Sequence, residues 1–252
     1  MKNPLVSMET KGHIAIVRMN RPERKNALNV DLIEQLLEAA RSLKRNKQVR
    51  VVILSGGPGG FSAGADRNDK RIFAPGTSVL EHWQSTEIGA EAVKAWESLN
   101  QVTIAAIERF AVGGGFTFAM ACDFRVMGHS AFVTIPEVPL GFNYGWNSVP
   151  RMVSLIGPSR AKRVIMLGER IGAEQAERWG LADYVTGDGA VEAFAAELAS
   201  QFVELPQLAV QFTKRAVNAI TSASRDISSH ADMAQIVLCL RASSEASRDE
   251  AL

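Results

Sequence analysis

Two short apolar runs, each followed by a turn of small residues, constrain this chain more than any other feature. Arg50-Val51-Val52-Ile53-Leu54 and Thr103-Ile104-Ala105-Ala106-Ile107 are continuous rather than alternating. Runs of that length and composition fit strands covered on both faces, and such strands belong to sheets flanked by helices. Phe61-Ser62-Ala63-Gly64-Ala65-Asp66 follows the first run; Gly113-Gly114-Gly115 follows the second and opens an apolar helix through Phe116, Phe118 and Met120. Small residues at such turns let a ligand approach the backbone, and the free N–H groups of a helix start favour developing negative charge. Two donors aimed at one carbonyl oxygen would stabilise an enolate or a tetrahedral oxyanion, and losing one donor typically costs about 3–4 kcal/mol. Close helix–strand packing is the other reading of the triple glycine, and the local sequence leaves both open.

The remaining periodicities give an α/β order. Ile14 to Met19 alternates and predicts a strand closed by Asn20-Arg21-Pro22. Asn29 stands as a helix N-cap before Leu32, Ile33, Leu36, Leu37, Ala40 and Leu43, which recur at three- and four-residue steps. Thr77 to Leu99 predicts a mostly helical stretch with Leu80, Trp83, Val93, Trp96 and Leu99 as anchors. Strand-like pieces follow near Phe124 to Met127 and Ala131 to Val133; helices dominate from Ser159, interrupted by Ala182 to Val185. The alternation indicates an α/β domain. The order strand, strand, helix is compatible with a spiral of small units as well as with a doubly wound sheet. A boundary near 195 separates the α/β part, 1–195, from a helical tail, 196–252. There Pro206 opens a helix with Phe212, Ala216, Val217 and Ile220 as its apolar stripe, suited to its own body or to a neighbouring subunit.

Composition removes several classes. With 252 residues, 28 basic against 27 acidic side chains and 46 % hydrophobic residues, the chain fits one large domain or one domain with an appendage. A near-neutral balance without a basic run argues against nucleic acid. Cys122 and Cys239 cannot build a disulfide framework, no His/Cys spacing suits zinc, and His13, His82, His129 and His230 are scattered, so no metal site is expected. No export core and no run of about 18 apolar residues occurs, which predicts a soluble protein of a reducing cytoplasm without membrane contact.

The third chemical feature is Glu137, within Pro136-Glu137-Val138-Pro139-Leu140-Gly141. A lone carboxyl among apolar neighbours, if buried, has its pKa raised toward the range useful for proton transfer; on a solvated turn it is an ordinary surface acid. Gly56 to Gly60 lacks both the Gly-Lys-Ser/Thr of a phosphate loop and the last glycine of a dinucleotide turn. Cys122 reads as core filler. His13 and His129 have no paired nucleophile in a recognisable context. Trp83, Trp96 and Trp179 fit the core, whereas Trp146, close to Glu137, fits a pocket wall.

In order and spacing these segments resemble the crotonase superfamily, the enoyl-CoA hydratase/isomerase family. The resemblance runs from Ile14 to about Val217 through Asn20 to Asn29, Phe61 to Asp66, Ala111 to Phe116, Pro136 to Gly141, Leu167 to Ile171 and Ala176 to Ala182. It implies a spiral of ββα units with a helical C-terminal region, assembled as a homotrimer or a dimer of trimers. The implied ligand is an acyl-CoA thioester, bound as substrate with no permanently held cofactor. By motif position the N–H groups of Ala65 and Gly114 form the oxyanion hole. Glu137, 23 residues beyond Gly114, falls where many members keep a catalytic glutamate. The Ala63-Gly64-Ala65-Asp66 turn would also hold the CoA portion, with Arg24 or Lys25 near its phosphates.

Departures from the family pattern bear on the reaction. Hydratases with two catalytic carboxylates carry a glutamate three residues after the oxyanion glycine, where this chain has Thr117, a group that can hold a water or a substrate oxygen but is no general acid or base near neutral pH. Phe142-Asn143-Tyr144-Gly145-Trp146-Asn147 replaces a small, glycine-rich turn, which places Gly145 and Trp146 against the acyl pocket. Arg248 to Leu252 does not match the aromatic and basic terminal segment common in the family, which touches on CoA and trimer contacts. The expected activity is proton transfer on an acyl-CoA enolate by a single glutamate, as hydratase or isomerase. A single-glutamate lyase, hydrolase or decarboxylase is an alternative within the family. A non-catalytic acyl-CoA-binding trimeric scaffold is an alternative of another class, and a dinucleotide oxidoreductase is more distant.

Overall fold

The computed structural model describes residues 4–73, 78–222, 232, 234–239 and 242. His230 and the Arg248 to Leu252 stretch lie outside the described residues. The chain begins with an antiparallel pair, β1 (Val6–Lys11) and β2 (Ile14–Met19), and continues through α1 (Val30–Arg45) into β3 (Val51–Ser55). A short α2 (Lys70–Phe73) and the long α3 (Val79–Glu97) lead to β4 (Val102–Ile107), β5 (Phe110–Val112) and α4 (Gly114–Met120). Then come β6 (Phe124–Gly128), β7 (Phe132–Thr134), α5 (Ser148–Leu167), β8 (Ile171–Gly172), α6 (Ala173–Trp179), β9 (Tyr184–Thr186), α7 (Val191–Val203) and α8 (Gln207–Ser222).

Local chemistry explains the main elements. Asn29 caps α1, its Oδ1 accepting from Leu32 N at 3.0 Å. Ser78 and Glu81 close a reciprocal capping box at the start of α3. Both continuous runs are fully buried strands, and their alternate residues feed two different cores. Val52, Leu54, Ala105 and Ile107 face α1 and α3, whereas Val51, Ile53, Ile104 and Val126 face α7 through Val191, Ala195, Leu198 and Ala199. Residue 195, where the boundary is expected, therefore sits inside a helix that covers the sheet.

Among the described residues the strands form two layers. The larger sheet runs in the order β1-β2-β3-β4-β6-β9 and is parallel from β2 onward, with Ile14 opposite Val51 and Ile53 opposite Ile104. The smaller sheet, β5-β7-β8, is extended by isolated parallel bridges pairing Ser62 with Ala111 and Leu28 with Ala65. Successive turns of the chain thus place a long strand in one layer and a short extended piece in the other before a helix returns. This is a spiral of ββα units, not a doubly wound sheet, and both small-residue turns lie in the second layer.

Five features were not visible in the sequence. β1 is an exposed edge strand without an apolar face. β5 and β8 are too short to carry a pattern. α5 starts at Ser148, ahead of the expected Ser159, because Gly157, at φ 76°, and Pro158 kink it and mask its first half. Leu80, read as an anchor, is 65 % exposed. α8 buries none of its residues; Leu208, Phe212 and Ile220 point outward, and Lys214 ties the other side to Asp123 at 2.6 Å.

Candidate active site

The first bend, residues 61–66, is held by its neighbour in the small layer. Leu28 N donates to Gly64 O at 2.8 Å and Asp66 N donates to Leu28 O at 2.9 Å. Ala65 lies between those two bonds, so its own N–H is directed away from Leu28, and Ala65 lines the cavity described below. Buried Asn26 supports the bend from behind, its Nδ2 lying 2.9 Å from Gly56 O, 3.1 Å from Gly60 O and 3.2 Å from Phe61 O. Asp66 pairs with Arg21 Nη1 at 2.6 Å, so its carboxylate is engaged within the protein.

The second bend is the start of α4. Val112 N donates to Ser62 O and Gly113 N to Thr134 O, both at 2.9 Å, which locks the bend between the first bend and β7. Gly113 adopts φ 46° and ψ −123°, and a Cβ there would overlap Glu137 Oε1. Only glycine meets both conditions. The Gly113 carbonyl accepts from Thr117 N at 3.1 Å and from Tyr144 Oη at 3.2 Å. In a trans peptide the N–H points opposite to the C=O, so the Gly114 N–H is directed forward, toward Glu137. The two bends touch: a Cβ on Gly64 would lie 2.8 Å from Val112 O and 3.7 Å from Gly114 N. Close packing also accounts for Gly115, where a Cβ would stand 2.7 Å from that of Ser62. The packing reading of the triple glycine therefore holds at Gly115.

Glu137 follows β7 in a turn stapled by its own carbonyl, which accepts from Leu140 N at 3.1 Å and Phe142 N at 3.0 Å. The side chain is buried rather than solvated. Burial pushes the carboxyl up to about 7, held back only in part by the amides of Glu137 itself and Gly114. Its Oε2 has no hydrogen-bond partner among the described residues. A buried polar atom left in that state is costly unless something else engages it. Ala65, Gly114, Thr117, Glu137, Tyr144 and Trp146 line one cavity of about 50 Å³, with Gly145 and Phe142 also on its wall.

Thr117 lies beside the acid but is committed elsewhere. Its hydroxyl is 2.9 Å from Tyr144 Oη and 2.8 Å from Ser148 Oγ. Burial pushes the Tyr144 phenol well above its ordinary value, so it stays protonated and serves as a donor. Tyr144 and Ser148 were not singled out as site residues; the only signal was the bulk of 142–147. Arg24 and Lys25 are exposed and do not line the cavity, although Ala63 N donates to Lys25 O at 2.9 Å and keeps their turn against the first bend. Cys122 is buried, its thiol pushed up to about 12 by desolvation. Among the described residues no group of three His, Cys, Asp or Glu side chains is placed to hold a metal, and no helix is long and apolar enough to cross a membrane.

This ββα spiral, with a buried acid and both small-residue bends on one cavity, has relatives among known proteins. The family model described as enoyl-CoA hydratase/isomerase matches residues 9–246. A short-chain-enoyl-CoA hydratase of Clostridium acetobutylicum is 33 % identical over 214 residues, covering 84 % of this chain and 80 % of that protein. A crotonyl-CoA hydratase of Syntrophomonas wolfei is 31 % identical, covering 84 % and 81 %. Among solved structures, an enoyl-CoA hydratase from Bacillus anthracis superposes with a TM-score of 0.81 at 30 % identity, covering 90 % of this chain and 89 % of its own. The chain belongs to the enoyl-CoA hydratase/isomerase family, in the crotonase superfamily, and is an acyl-CoA enzyme of that type.

Proposed function

We propose that the protein moves a double bond in an acyl-CoA thioester by shuttling one proton through Glu137. The observation that carries this is the buried, raised carboxyl of Glu137, set against the bend that directs Gly114 N–H inward. As carboxylate, Glu137 removes a proton from an acidic carbon of the acyl group. The electron pair moves into the thioester carbonyl, and the N–H groups of Ala65 and Gly114 hold the resulting oxyanion. The carboxylic acid then returns the proton at another carbon, and the carbonyl reforms with the double bond displaced. Ala63, Gly64 and the rest of the first bend would hold the CoA portion, with Arg24 and Lys25 bordering it.

Thr117 favours isomerisation over hydration, because its hydroxyl occupies the position of a second carboxylate and is spent on Tyr144 and Ser148. Hydration is the second reading, favoured by the names of the relatives; Glu137 would then both take a proton from water and deliver one to carbon. Incubation with 2-enoyl- and 3-enoyl-CoA esters in deuterated, 18O-labelled water separates the two. We expect deuterium incorporation and double-bond migration without 18O uptake. Glu137→Ala should abolish turnover while retaining binding of the ester; unchanged turnover would discard the role of Glu137. The outward apolar face of α8, with Phe212 61 % and Ile220 79 % exposed, supports assembly as a homotrimer or a dimer of trimers.

A further inference from the structure

We infer that Trp146 sets the size of the acyl group this cavity admits, and that the group is short, closer to crotonyl than to a long chain. The inference rests on the acyl-CoA reading above. The indole is slotted between α3 and α4. Its Nε1 donates to Thr86 O at 3.0 Å, and its rings meet Phe118 edge-on with centroids 6.4 Å apart. Two glycines make room for it. A Cβ on Gly89 would overlap the indole, and one on Gly114 would stand 2.6 Å from Cζ3. The ring therefore packs on the same residue that supplies an inward N–H.

The backbone that aims this ring is strained. Trp146 and Asn147 are consecutive left-handed residues, at φ 56° and 59°, and neither is glycine. Such conformations persist only where the surroundings over-determine them. Here Arg151 does so: its Nη1 lies 3.0 Å from Trp146 O and 2.8 Å from Asn147 O, and its Nη2 pairs with Glu97 at 2.6 Å. Asn147 N adds a bond to Asp232 Oδ2 at 3.1 Å. A plain core tryptophan needs no such arrangement; one that must fill a particular wall of a cavity does. The remaining space, about 50 Å³, is worth roughly four water-sized spheres, since a cavity needs on the order of 10–15 Å³ for one. The space beside Glu137 and Gly114 is therefore small, and the indole is the largest side chain on its wall.

The test uses the full chain and a series of enoyl-CoA esters from crotonyl to decenoyl, with kcat/KM for each in the wild type, Trp146→Gly and Trp146→Phe. Glycine suits the left-handed backbone at 146 and removes the ring; phenylalanine keeps most of its bulk. We expect wild-type kcat/KM to fall at least about a hundredfold from crotonyl to decenoyl, since a single misfit methylene is already worth about 10–200-fold. Trp146→Gly should bring decenoyl to within about tenfold of crotonyl while lowering crotonyl itself, and Trp146→Phe should fall between. Affinities for saturated acyl-CoA esters of the same lengths, by calorimetry, should show the same order without chemistry. A Trp146→Gly protein that folds by circular dichroism and keeps the wild-type length profile in rate and affinity overturns the inference, as does a wild type that takes decenoyl as well as crotonyl. No turnover of any ester, with length-dependent affinities intact, would overturn the proposed reaction and leave the role of Trp146 standing.

Discussion

The bend at 61–66 and the bend at 113–117 border the same cavity, through Ala65 and Gly114, and are braced by different means. At the first, the bracing is a strand-like ladder to Leu28, the amide of Asn26 behind it and the Arg21–Asp66 pair at its end. At the second, two backbone bonds, Val112 N to Ser62 O and Gly113 N to Thr134 O, are joined by buried side chains that pack on the glycines themselves: Tyr144 Oη on the Gly113 carbonyl, the Trp146 indole on Gly114, and the Glu137 carboxyl filling the space over Gly113. A bend whose side-chain braces stand behind it tolerates change in them, whereas one whose donor residue is itself packed against buried side chains is coupled to them. Changes to the side chains that brace the first bend should therefore show chiefly in stability, and changes to those that pack on the second should show in turnover.

Substitutions can break or sharpen that contrast. Gly113→Ala should have the largest effect, because it combines left-handed strain with overlap on Glu137 Oε1. We expect kcat to fall by about a thousandfold, as for loss of a single preorganised donor or more, measured by steady-state turnover with circular dichroism to confirm folding. Next is pH. With Glu137 pushed up to about 7, kcat/KM should fall about tenfold per unit below that pH as the base is protonated.

The same shift has a stability consequence of defined sign. A carboxyl whose pKa is raised on folding favours the folded state most fully below the usual value of 4.5, and that stability is lost as pH rises through about 7. Glu137→Gln should therefore gain on the wild type with rising pH, by up to about 3 kcal/mol above pH 7 relative to acid conditions, seen as a growing Tm difference. Tyr144→Phe should lower kcat by about tenfold with KM little changed, the scale of one hydrogen bond near 1.4 kcal/mol. Asp66→Asn should have the smallest effect on kcat, within about twofold, with the loss appearing instead in thermal stability, on the order of 1–3 kcal/mol. An Asp66→Asn protein that lost more turnover than Tyr144→Phe would reverse the assignment of roles to the two bends.

Much of this arrangement is legible in the sequence because it rests on local signals. The continuous runs at 50–54 and 103–107 mark buried strands, and the small residues at 63–65 and 113–115 mark where backbones come together. Glu137 is visible as a carboxyl among prolines and aliphatic residues, but its burial is a tertiary fact that the local sequence leaves undecided. Tyr144 was not legible, because nothing near it in sequence announces that its hydroxyl meets a carbonyl 31 residues earlier. Asn26 was similarly hidden: an asparagine in a turn normally bonds locally, and here it serves 30 or more residues downstream. α7, which spans the expected boundary at 195, packs on the sheet through Val191, Ala195, Leu198 and Ala199, a long-range contact that the local sequence does not carry.

Proton exchange at the carbon next to the thioester tests the central claim most directly. Butyryl-CoA, which has no double bond to move or hydrate, should exchange its α-hydrogens with deuterated water in the presence of the wild type, followed by mass spectrometry. Glu137→Gln should bind the ester with similar affinity and show exchange reduced by about a thousandfold or more. Exchange at the wild-type rate in a folded Glu137→Gln protein would contradict the account, because some other group would then be carrying the proton.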